Sequence, residues 1–168
     1  MAQEKAKTQD AAGKFPFDVV RTVPQDADDV SRLYCSLFES YPFPIHDAAY
    51  IKKTMQSHIV YYVIRDQNRI VAASSAERDF DSSIVELTDF ATLPEYRGRQ
   101  CALNLLMLME KDMVQEKMRC MFTIARALSP GMNIVFAKNN YIYGGALINN
   151  TCLSGNIESM NVWYKSAG

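Results

Sequence analysis

LPEYRGRQCALNLL (residues 93–106) sets a proline, a basic loop and the start of an amphipathic helix in direct succession. IVELTDFATL (84–93) precedes it as a β-rich run that Pro94 ends. Ala102, Leu105, Leu106, Met109 and Met113 then fall on one face of a helix spanning about 100–117. A loop between such a strand and helix turns backbone N–H groups and the positive helix end toward one spot, which suits an anion. Arg97 and Arg99 add fixed charge, and Gly98 between them lets a ligand approach the backbone. A pyrophosphate fits this chemistry, and so does a tight loop with two solvated arginines. The segment has neither the G-x-x-x-x-G-K-[ST] nor the G-x-G-x-x-G spacing of nucleotide-binding loops.

Working outward, FDVVRTV (17–23) reads as a strand, and Asp26 opens a helix carrying Val30, Leu33, Tyr34, Leu37 and Phe38. Tyr41-Pro42-Phe43-Pro44 is a rigid aromatic loop, and Asp47 caps a second helix over roughly 48–57. IVYYVIR (59–65) and IVAASSAE (70–77) form a hairpin across residues 66–69. CMFTIARA (120–127) is a further strand, and Ser129-Pro130 starts a helix to about Lys138. Two strand-like runs, 145–151 and 157–164, close the chain around Ser154-Gly155-Asn156. The order β-α-α-β-β-β-α-β-α-β-β predicts an α/β (α+β) domain: one mixed central sheet with helices on both faces. Residues 1–14 are polar and aperiodic and read as a disordered tail or linker, with 15–168 as the single domain.

Composition narrows the function classes. Of 168 residues, 48% are hydrophobic and 22% charged, which is ordinary for a globular domain. A net charge of −1 and a pI near 6.1 argue against a nucleic-acid backbone as the main partner. Cys35, Cys101, Cys120 and Cys152 contain no C-x-x-C pair, so no metal site is expected. His46 and His58 lack metal or triad spacing and read as turn or surface histidines. The polar N-terminus predicts no signal peptide, and no apolar run nears ~18 residues, so no membrane span is expected either. Four free thiols suit a cytoplasmic location.

LPEYRGRQCALNLL resembles the acetyl-CoA signature R-x-x-G-x-G/A of the GNAT acetyltransferases, with Arg97 and Ala102 at its ends and Gln100 in place of its middle glycine. The resemblance runs from about Phe17 to Lys165. Four separated blocks, SYPFPI (40–45), ELTDFATLPEYRG (86–98), IARALSPGMN (124–133) and ESMNVWYK (158–165), are similar to the β-lysine N6-acetyltransferases within that superfamily. Members of that group often carry an additional N-terminal region. The resemblance implies a GNAT fold and an enzyme that moves an acetyl group from acetyl-CoA to the terminal amine of β-lysine or a similar small amine, yielding a compatible solute. Lysine, a polyamine or a protein amine are alternative acceptors, and a CoA-binding module without turnover is the reading from another class.

Residue by residue, the resemblance assigns Phe90, Ala91 and Thr92 to the pantetheine arm. It gives Arg97, Gly98, Arg99, Gln100, Cys101 and Ala102 to the pyrophosphate, with Asn133 and Phe136 nearby. Gln100 demands either a negative φ or some strain. The acceptor amine must lose a proton, and the family's carboxylate early in this strand points to Glu86 as the base. Asp89, three positions on, is expected on the opposite strand face unless a bulge intervenes. Phe136 occupies the place of the family's tyrosine acid, which leaves Tyr141 and Tyr143 as candidates. For a zwitterionic acceptor, Arg126 suits the carboxylate and Glu158 the second ammonium, with Tyr41, Phe43, Asn149 and Asn161 around them. The same Arg126 and Glu158 also read as an ion pair bracing the last hairpin. Cys101 at a helix start is expected to have a lowered pKa. The final hairpin is a candidate homodimer edge.

Overall fold

The computed structural model describes residues 15–167, so the proposed tail, 1–14, lies outside the described residues. One seven-stranded sheet has the order β1-β2-β3-β4-β5-β7-β6. Its strands are β1 (Asp18–Arg21), β2 (Ile59–Asp66), β3 (Arg69–Asp79), β4 (Ile84–Thr92), β5 (Cys120–Arg126), β6 (Ile142–Leu153) and β7 (Asn156–Ser166). The helices are α1 (Ala27–Leu37), α2 (Ala48–Met55), α3 (Cys101–Gln115) and α4 (Pro130–Lys138).

Ile59 to Ile64 of β2 are all buried, because helices cover both sides of the strand. Two neighbouring tyrosines show this directly. The Tyr61 hydroxyl lies 3.1 Å from Thr54 Oγ1 of α2, whereas the Tyr62 hydroxyl donates to Asp112 of α3 at 3.1 Å. Successive side chains in a strand point to opposite faces, so α2 and α3 lie on opposite sides of the sheet. Leu105, Leu106, Met109 and Met113 of α3 are wholly buried, as the apolar spacing of that helix requires.

The strand pairings position the site. All are antiparallel except β4 with β5. That parallel pair is matched only over Ile84–Glu86 and Cys120–Phe122, after which the strands part. From Leu87 onward the β5-facing edge of β4 has no strand partner among the described residues. The β3–β4 ladder is also interrupted. Ala73 faces Ala91 and Ser75 faces Thr88, so Asp89 and Phe90 together oppose Ser74. This is a bulge, and Asp89 takes a left-handed φ of 57° within it.

Two local expectations are corrected. Asp26 does not cap α1 with its side chain; it sits in a short 3-10 turn, accepts from the Val23 backbone N–H at 3.0 Å and pairs with Arg65 at 2.6 Å. β6 begins at Ile142 rather than 145, and register shifts near Gly144 and residues 148–150 blur its alternation. The Ser154-Gly155 turn has positive φ at both residues, which matches the twist of a two-residue hairpin. β6 is a sheet edge and exposes Ile142, Tyr143 and Ile148. No helix among the described residues is long and apolar enough to cross a membrane.

Candidate active site

The loop after β4 begins with a 3-10 turn at Pro94–Tyr96 and passes through Gly98 at φ 74° and Gln100 at φ 63° before α3 starts. A Cβ on Gly98 would touch nothing within 4 Å, so backbone conformation alone requires the glycine. Gln100 adopts the strained of its two expected conformations. Its carbonyl accepts from the Asn104 backbone N–H at 3.0 Å and from Asn104 Nδ2 at 2.9 Å, which holds the first turn of α3. Arg97 and Arg99 are exposed at the loop, with Arg97 Nε donating to the Thr92 carbonyl at 3.3 Å and Arg99 lying 5.1 Å over the Tyr96 ring. Two exposed guanidinium groups at a helix start, beside the unpaired edge of Phe90, Ala91 and Thr92, fit a pyrophosphate with an extended arm.

The strain gives a test. Gln100→Gly is expected to bind acetyl-CoA as tightly as the parent and to melt no lower, whereas Gln100→Val costs roughly 1–2 kcal/mol because a β-branched residue resists the left-handed region. Thermal melts and titration calorimetry on the two variants check this. Equal melting temperatures would show that Gln100 is unstrained.

Cys101 departs from its expected acidity. It is 3% exposed, and burial pushes its thiol up despite the nearby Arg99 charge. Its Sγ lies 3.6 Å from the Tyr96 carbonyl, as a packed thiol does.

Glu86 faces Glu77 directly across the β3–β4 ladder. Both line a cleft of about 550 Å³ with His58, Arg78, Asp79, Phe80, Asp81, Ile84 and Phe122. They also line a small inner cavity of about 30 Å³ with Phe43, Ile45, Tyr50, Ile59, Tyr61, Thr88 and Asp89. The bulge therefore brings Asp89 to the same cavity as Glu86, where an unbroken strand would have sent the two carboxylates apart. Burial, then Glu77, then Asp89 push the Glu86 carboxyl up to about 7. Arg78, the cleft's cation, is bound at 2.7 Å by Glu116 and donates to the His58 carbonyl at 3.0 Å. The cleft keeps an acidic lining. His58 Nε2 stands 3.4 Å from Glu77, so this histidine, unassigned from sequence, belongs to the cleft wall.

The remaining predicted residues divide into groups. Tyr41 and Phe43 lie in the loop between α1 and α2, with Tyr41 donating to Asp89 and Phe43 on the inner cavity. Arg126 and Glu158 are bound to each other through two hydrogen bonds of 2.8 and 2.5 Å and line neither cavity. That arrangement holds Glu158 below the usual carboxylate range and joins β5 to β7. Asn133 donates to the carbonyls of Arg126 and Ser129 and accepts from Asn161 at 2.9 Å and Trp163 at 2.8 Å. Both ends of its amide are occupied, so it clamps α4 onto β7. Phe136 is buried between Phe90 and Tyr141 at ring separations of 5.6 and 5.0 Å. The Tyr141 hydroxyl points at Met121 Sδ, 3.9 Å away, and burial raises its phenol well above the usual range. Tyr143 is half exposed, with its hydroxyl 3.4 Å from Asn161. Asn149 is exposed, and its N–H donates to Ser159 Oγ at 3.1 Å.

Glu77 and His58 were not predicted. The signal for Glu77 lay in the hairpin register, which sets it opposite Glu86 once the length of the β3–β4 turn is known.

Comparison with known proteins agrees with this geometry. A sequence model described as "Acetyltransferase (GNAT) family" matches residues 28–133. The β-lysine N6-acetyltransferase of Methanococcus maripaludis is 49% identical over 140 residues, 83% of this chain and 51% of that protein. N-acetyltransferase YodP of Bacillus subtilis is 42% identical over 149 residues, 89% of this chain and 54% of that protein. The chain thus spans about half the length of the curated relatives it matches. The crystal structure of an N-acetyltransferase from Staphylococcus aureus Mu50 superposes with a TM-score of 0.78 at 13% identity, covering 90% of this chain and 99% of that one. At that identity the likeness speaks for the fold.

Proposed function

The chain belongs to the GNAT acetyltransferase family, and from that membership we propose that it transfers an acetyl group from acetyl-CoA to the terminal amine of a small cationic acceptor, β-lysine before others. The observation that carries this reading is Glu86, a carboxylate raised to about 7 that lines both the inner cavity and the open cleft. Acetyl-CoA supplies an activated acetyl group as a thioester. The chain must supply position and a route for one proton.

An alkylammonium with a pKa of about 10.4 is only about a thousandth neutral near pH 7.4. Glu86 takes that proton, directly or through a water. A base matched to the working pH contributes roughly 10²–10⁴-fold. The acidic lining of Glu77, Asp79, Asp81 and Glu86 draws a cation into the cleft. On the donor side, Phe90 to Thr92 receive the extended arm, and Arg97 to Ala102 receive the pyrophosphate. The departing thiolate, with an unperturbed pKa of about 8.5, needs less help. Tyr143 is half exposed and serves as its proton source more readily than buried Tyr141.

β-Lysine as acceptor is supported by the archaeal relative's name and by the cleft's charge. A thiol-release assay with acetyl-CoA across β-lysine, α-lysine, spermidine and a lysine peptide tests it. β-Lysine is expected to give the highest kcat/KM by roughly tenfold or more. Equal use of all four overturns the acceptor assignment, and no thiol release with any of them overturns the transferase reading.

A further inference from the structure

The aromatic loop between α1 and α2 is fastened to the bulge of β4 at one point. Tyr41 donates its phenolic proton to Asp89 Oδ1, and Ser75 Oγ donates to Asp89 Oδ2 at 2.6 Å. Asp89 reaches both partners because its φ of 57° and the two-against-one register place its carboxylate on the side of Ser75. A non-glycine residue in that region costs of order 1–3 kcal/mol and persists where its surroundings hold it. Here the holding groups come from β3 and from the loop.

Tyr41 packs on Phe38 at 5.1 Å, and Phe38 stacks on Tyr34 at 5.8 Å, so its ring is already seated before its hydroxyl reaches the carboxylate. Beyond Tyr41 the chain runs through Pro42 and Pro44, which limits its freedom. That short segment carries Phe43 and Ile45 onto the inner cavity, over Glu86 and Thr88. On its other side, Ser40 Oγ accepts from the Ser154 N–H at 2.8 Å, which ties the loop to the β6–β7 turn. Ser40 and Tyr41 thus hold the start of this cover, Tyr41 through Asp89, and the His46 carbonyl, which accepts from Ser31 Oγ at 2.7 Å, holds its end.

We propose that Asp89 is a positioning residue: by holding Tyr41 it seats segment 41–45 over the carboxyl end of Glu86 and so fixes where the acceptor stops. This rests on the acetyl-transfer reading above. Asp89 lines the inner cavity, but both of its carboxylate oxygens are engaged by Tyr41 and Ser75, so it acts through the loop. The same residue lies one position before Phe90 of the donor arm, so one side chain sets the spacing between the acceptor cover and the donor strand.

Asp89→Asn keeps a side chain that tolerates left-handed backbone but removes the charged acceptor. Tyr41→Phe keeps the ring on Phe38 and removes only the donor. Each is expected to raise the KM for the amine about tenfold, in line with loss of a hydrogen bond to a charged group. The KM for acetyl-CoA and kcat at saturating amine stay within about threefold. The double variant is expected to be no worse than the poorer single, because both changes cut one contact. Hydrogen exchange is read alongside: amides of 39–47 should exchange faster in both variants, while those of α3 should not. Additive KM effects, an unchanged amine KM, or unaltered exchange in 39–47 would overturn the proposal. Faster loop exchange together with a parent protein that acetylates no amine would leave the latch in place and remove the acetyl-transfer reading instead.

Discussion

Glu86→Gln is expected to lower kcat by about 10²–10⁴-fold while acetyl-CoA binding is unchanged. The amide keeps the shape of the side chain but cannot take the ammonium proton, and the donor loop lies at the other end of β4 from it. The same substitution should stabilise the protein at alkaline pH. The Glu86 carboxyl lies near 7 in the fold against an ordinary 4.5 when unfolded. Between those values the folded state holds a proton that the unfolded state has released, so stability falls as pH rises through the interval. Fully developed above pH 7, that loss is on the order of 3 kcal/mol. The variant should therefore melt several degrees above the parent at pH 8 and close to it at pH 4.5. Stopped assays, calorimetric binding and melts at the two pH values check all three parts. A variant that loses acetyl-CoA affinity, or melts below the parent at pH 8, would show that Glu86 is held for structure.

Phe136→Ala should have the largest effect on stability. Its ring is 1% exposed and is packed edge-on against Phe90 of β4 and Tyr141 just before β6. Removing a buried phenyl group costs about 3–5 kcal/mol through lost transfer energy and the cavity left behind. At this chain length that corresponds to a fall in melting temperature of roughly 6–20 °C. In the proposed reaction Phe90 receives the donor arm, so acetyl-CoA affinity should fall with it. Phe136→Leu should recover most of the stability. A Phe136→Ala protein that melts with the parent would mean that α4 is not packed against β4 in solution.

Residues that announced themselves in the sequence did so through periodicity. β2 and β3 were visible as apolar runs around a four-residue turn, and α3 as a stripe from Ala102 to Met113. The loop after β4 was legible because a proline, a glycine and two arginines sit between strand and helix. What stayed hidden depends on register. Asp89 shares a cavity with Glu86 only because two residues of β4 oppose one of β3, and single-strand alternation sends it the other way. Its bond to Tyr41 joins residues 48 positions apart, and Glu77 comes opposite Glu86 only once the hairpin closes in one register. Asn133 and Asn161 looked individually available, but tertiary packing spends their polar groups on each other and on Trp163. Arg126 and Glu158 were readable as either ligands or a brace, and in the fold they bind each other.

In the proposed reaction Glu86 removes the proton from the acceptor amine. The most direct measurement is the pH dependence of β-lysine-dependent thiol release, recorded as kcat/KM for the parent and for Glu86→Gln. For the parent, the rate should rise with pH through a limb near 7, where the Glu86 carboxyl ionises. In the variant that limb should be absent, leaving a much lower rate that climbs with free amine alone. The same limb near 7 in both proteins would assign the base to a group other than Glu86.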